Sequence, residues 1–97
     1  MTHEELERRL WALHRRLGCS RPPAGLKEVN HHVLQAACHF AVFRMDMPPQ
    51  WYEPRRLELA RRESTAAQKA YAVSKVTLDG LGDELAAIAN ALQEVER

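Results

Sequence analysis

The segment from Leu26 to Met47 carries the densest apolar pattern in the chain, with the run AACHFAVF (36–43) at its centre. At about 100° per residue, Leu26, Val29, Val33, Ala37 and Phe40 share one helical face, and Leu34, Ala41 and Met45 widen it. Glu28, His32, Gln35 and His39 gather on the opposite side in the first turns. A surface helix shows a narrower stripe, so the pattern predicts a central helix over about 25–46, wrapped by the others.

Upstream, residues 2–17 read as a helix with a narrow seam, Leu6, Leu10, Leu13 and Leu17, at spacings of four, three and four. Thr2 and Glu5 have the spacing of a capping box, and Glu4–Arg8 and Glu5–Arg9 are favourable pairs one turn apart. Gly18 is a natural stop, and Pro22–Pro23 force an extended connection to the next helix. Downstream, Met47 precedes Pro48 and is pushed from helical angles. The loop that follows, MPPQWYEP, places Met47, Trp51 and Tyr52 among three prolines.

From Leu57 onward a heptad-like row runs without a phase break: Leu57, Ala60, Ser64, Ala67, Tyr71, Ser74, Leu78, Leu81, Leu85, Ile88, Leu92 and Val95. Gly80 and Gly82 interrupt its middle, each costing about 1 kcal/mol against alanine inside a helix. With Thr77 and Asp79 as candidate caps, the favoured reading is two helices, about 54–78 and 80–96, with a turn or kink at 79–82. One long C-terminal helix is the alternative. No strand pattern or repeat is present, and the expected fold is a single all-α domain over 1–97, a small bundle of three to four helices.

Composition narrows the class of function. Hydrophobic residues make up 45% of the 97 and the formal charge is +1, values of a folded chain without the strong basic excess of a dedicated polyanion binder. The balance hides an asymmetry, since residues 1–62 hold 11 Lys/Arg against 7 Asp/Glu whereas residues 63–97 hold 3 against 6. No apolar run approaches the roughly 18–20 residues that span a bilayer, and two cysteines make no disulfide framework; a cytoplasmic, non-membrane protein is expected.

Candidate chemistry is sparse. His31–Cys38 and His32–His39 are both seven residues apart, about 10 Å along a helix, too far for one metal ion. A site across helices would have to combine these with His14, His3 or Cys19. Cys38, inside the apolar run, reads as an inert core thiol. No nucleophile–base set, cofactor fingerprint or metal motif stands out, so neither an enzyme nor a cofactor is expected. Four arginine doublets (8–9, 15–16, 55–56, 61–62) place Arg8 with Arg15, and Arg55 with Arg62, on common helical faces.

The surplus of apolar faces points to protein binding. Self-association, as a homodimer, is predicted through Leu78, Leu81, Leu85, Ile88, Leu92 and Val95, with the first helix as next candidate. Trp11, Arg15, Met47, Trp51, Tyr52, Arg55 and Arg62 are the predicted partner contacts, because Trp, Tyr and Arg dominate binding hot spots. The expected function is a small accessory, regulatory or inhibitory protein of a bacterium or phage. The alternative is a nucleic-acid-associated regulator that uses the arginine faces.

Overall fold

Thr2 and Glu5 begin the first helix as their spacing requires: Thr2 Oγ1 accepts the Glu5 backbone N–H at 3.1 Å, and the Glu5 carboxylate accepts the Thr2 N–H at 3.3 Å. In a computed structural model that describes residues 1–18, 21–45 and 55–95, this helix, α1, spans His3–Arg16. Three more follow: α2 (Lys27–Arg44), α3 (Arg56–Ala72) and α4 (Leu81–Glu94), with no strand among the described residues. Leu6, Leu10, Leu13 and Leu17 are all buried, and Gly18 stops the helix at a φ of +95°.

The helices form a ring, α1 on α2, α2 on α3, α3 on α4 and α4 back on α1, with no close approach across either diagonal. Polar pairs between neighbours fix the directions. His32 meets Glu63 and His39 meets Arg56, so α3 runs antiparallel to α2. Arg9 meets Glu84 and Arg16 reaches the Asp79 carbonyl, so α4 runs antiparallel to α1. The architecture is an up-down-up-down four-helix bundle, the arrangement short connections favour.

Its core joins the α1 leucine seam to Leu26, Val29, Val33, Ala36, Ala37 and Phe40, then Leu57, Ala60 and Ala67, then Leu81, Leu85, Ile88, Leu92 and Val95. Each large aliphatic side chain taken out of water here contributes about 1.5–3 kcal/mol before entropy is counted.

Three expectations need correction. The favoured pair of C-terminal helices forms and the single long helix does not, but the break begins earlier than 79–82: α3 ends at Ala72 and α4 starts after Gly80. The cause is local. Tyr71 Oη donates to the Leu78 carbonyl at 3.2 Å and accepts the Leu78 N–H at 3.0 Å, while Ser74 Oγ accepts the Val76 N–H at 3.1 Å. Side chains thus take the backbone groups that a helix would have used. The predicted caps Thr77 and Asp79 are not used, and Gly80 is the N-cap.

Second, α2 is not central. It is a corner helix held by α1 and α3 only, so its outer side faces water in spite of its composition. Leu34, Ala41 and Val42 are half-buried and Met45 is 57% exposed. Third, Cys38 lies on this outer side and is exposed, so it is no core thiol.

α4 has no basic residue in its own last turn, and Arg61 of α3 fills that role. Its guanidinium donates to the carbonyls of Leu92 at 2.8 Å and Val95 at 2.7 Å, where the helix leaves acceptors unsatisfied and the dipole is negative. Arg61→Ala is expected to lower stability by about 1–2 kcal/mol in urea denaturation. Arg61→Lys should not restore it, because one ammonium cannot reproduce the fork.

Candidate functional site

The arginine doublets divide their work in the same way on each helix. Arg9 Nη2 pairs with Glu84 at 2.7 Å, and its pKa is raised further, chiefly by the hydrogen bond to that carboxylate. Arg16 binds the Asp79 carbonyl, Arg56 donates to His39 Nδ1 at 2.9 Å, and Arg61 caps α4. The other member of each doublet, Arg8, Arg15, Arg55 or Arg62, is exposed. Of the eight doublet arginines, four are therefore structural ties and four lie exposed, Arg8 of them beside Glu4.

These exposed four do not gather on one surface. Arg8 and Arg15 belong to α1, Arg55 and Arg62 to the α3 end of the chain, and these helices stand diagonally opposite in the ring. Trp11 and Arg15, both predicted partner contacts, do come together. They line a groove of about 430 Å³ between α1 and α2 with Glu4, Glu7, Arg8 and Arg44. Met47, Trp51 and Tyr52, the other predicted contacts, lie outside the described residues.

Glu7 organises the groove. One carboxylate oxygen accepts the Trp11 indole N–H at 3.3 Å, and the other accepts Arg44 Nη1 at 2.7 Å. One side chain thus orients the aromatic ring and the α2 guanidinium together. Trp11 also meets the edge of the His14 ring, with centroids 6.2 Å apart, and His14 Nδ1 is 2.7 Å from Oδ1 of the buried Asn30. Trp11 is half-buried, packed on the core along one edge and open to the groove on the other.

Besides Glu4 and Glu7, the groove residue that sequence reasoning missed is Arg44. Its signal was available: at i+4 from Phe40 and i+11 from Val33, it is a charge placed on the apolar face of its own helix. Such a position demands a partner from the neighbouring helix, and Glu7 supplies it.

The predicted self-association seam has a different fate. Leu81, Leu85, Ile88, Leu92 and Val95 are buried inside the chain itself, and Leu78 is half-buried against the same core. A contact between two copies along this seam would require the bundle to open.

The histidines are engaged between helices. His32 Nδ1 is 2.6 Å from Glu63 and its Nε2 is 3.9 Å from Glu28, while His39 and His14 are tied as described. His31 is exposed, against the His32 ring at 5.3 Å between centroids. Among the described residues no three His, Cys, Asp or Glu side chains converge in a way that could hold a metal ion. Nor, among them, is any helix long and apolar enough to cross a membrane.

The chain matches no known family model, and no curated protein or solved structure shows significant similarity to it.

Proposed function

We propose that this chain is a non-enzymatic protein-binding module that engages its partner through the α1–α2 groove. One observation carries the reading: an indole held in place by Glu7 opens into a groove whose basic lining residues are Arg8, Arg15 and Arg44. Tryptophan and arginine at the centre of a concave surface are the residue types that carry most binding energy in protein interfaces. The bundle supplies a rigid support, because α1 is clamped to α4 by Arg9–Glu84 and to α2 by Glu7–Arg44. A small accessory or regulatory protein needs no more than this.

A second reading has its own observation. On α3 and its N-cap, Arg55, Arg62 and Lys69 recur every seven residues and all three are exposed, a row that can meet the phosphates of a nucleic acid. Exposed Glu58 weakens that row, and Arg8 and Arg15 cannot extend it from the opposite corner.

Photo-crosslinking in the source organism separates the readings. A photoreactive residue at position 15 is expected to give a protein adduct, and one at position 83 on the exposed side of α4 is not. Trp11→Ala should abolish the adduct, as loss of a hot-spot ring costs 2 kcal/mol or more, about thirtyfold in affinity. Equal adducts from both positions, or none from position 15, would contradict the proposal. Nucleic-acid adducts from position 62 would favour the second reading.

A further inference from the structure

We infer that the α1–α2 groove selects an acidic polypeptide segment: two carboxylates about 10 Å apart with an apolar side chain between them. The inference rests on the protein-binding reading and names the chemistry of the partner.

Charge accounting within the groove leads there. Six residues line it, three arginines, two glutamates and Trp11. Glu7 is committed to Arg44 and to the indole N–H. Glu4 lies 3.6 Å from Arg8, in a pair whose side chains are both about 70% exposed. An exposed pair of this kind is worth at most about 1 kcal/mol, so Arg8 can turn to an incoming carboxylate at little cost. Arg15 has no acidic partner among the described residues. The groove therefore holds one uncompensated cation and a second that is easily released.

Spacing sets the pattern. Arg8 and Arg15 are seven residues apart on one helix, about 10.5 Å, and Trp11 lies between them on the same side. A ligand that satisfies both guanidinium groups must carry its acids at that separation, and the side chain between them lies over the indole. The one α2 residue that lines the groove, Arg44, is already held by Glu7, so Arg8 and Arg15 are the cations left to meet a ligand. Arginine favours carboxylates because its fork donates two parallel hydrogen bonds. A continuous row of phosphates fits less well, since it also places charge against Glu4 and Glu7, whereas a peptide can carry its two acids opposite the guanidinium groups alone.

The test uses the full chain as bait for a phage library of random twelve-residue peptides. The expected pool carries paired Asp/Glu residues around a large apolar one. A synthetic member of that pool should shift the Trp11 indole N–H resonance, read without overlap in a Trp51→Phe background. Arg15→Glu leaves the core untouched and is expected to weaken that peptide about tenfold or more, and to turn selection toward Lys- or Arg-bearing peptides. A neutral or basic pool from the unaltered chain, no enrichment at all, or the same acidic pool from both proteins overturns the inference. If position 15 still crosslinks to protein in cells after such a result, the binding reading stands and only the acidic chemistry falls. If it does not, both fall.

Discussion

Replacing Leu85 and Leu92 together by lysine is expected to unfold the chain rather than to release a folded, soluble monomer. Leu85 is 2% and Leu92 0% exposed, and both sit where α4 meets α1 and α3. Among the described residues the buried polar ones are Asn30 and Ser64, neither a carboxylate, and an unpaired buried charge costs several kcal/mol. Two such charges, together with the lost leucine packing, exceed the roughly 5–15 kcal/mol by which a domain is stable. Circular dichroism should show loss of the helical signal at all temperatures. A helical monomer, obtained from a parent that sediments as a dimer, would instead mean that this seam is an interface between copies.

The second large effect is expected at Gly25, where the α1–α2 connection touches the α3–α4 turn. Gly25 has a φ of +93°, in the left-handed region that a β-branched side chain avoids, and a Cβ built there lies 2.8 Å from Val76 Cγ2. Ser74 Oγ donates to the Gly25 carbonyl at 2.8 Å, so the two loops are already clasped and cannot easily part. Gly25→Val is expected to cost about 2–3 kcal/mol, from backbone strain and from the clash. Adding Val76→Ala should recover part of the loss by removing the clash while leaving the strain. Thermal unfolding of the two single variants and the double variant measures the coupling, with each kcal/mol worth about 4–8 °C in a domain of this size. Equal stability of Gly25→Val and the parent would show that the loops are not held together as described.

Much of this fold was legible because its signals are local. The Thr2–Glu5 capping box, the α1 leucine seam and the glycine stop at position 18 each depend on a few neighbouring residues. The turn between α3 and α4 was harder for a specific reason. Ser74 and Leu81 are seven residues apart on the heptad row, so the hydrophobic phase resumes after the connection 73–80 as though no break had occurred. The better signals were Val73, Val76 and Thr77, poor helix formers close together, and Tyr71 and Ser74, whose hydroxyls fold the turn.

The candidate site was only half legible, and for a different reason. Trp11 stands one step off the leucine seam, and that displacement alone marks it as a residue meant for an edge. Its surroundings depend on which helix becomes the neighbour and in what register, which no periodicity within one helix reports. Arg9 finds Glu84 across 75 residues of chain, and Glu7 finds Arg44 across 37. The same limit explains α2. Its composition suits a helix covered on all sides, but a ring of four helices has no centre position, and the excess apolar residues are left half-buried or exposed.

The central claim is that this chain works by holding another protein at Trp11. Native mass spectrometry of the chain purified gently from its own source, beside its Trp11→Ala variant, tests that claim most directly. The account predicts a complex with an added protein mass for the parent and the bare, folded chain for the variant. The same masses from both proteins, or a bare parent, would contradict it.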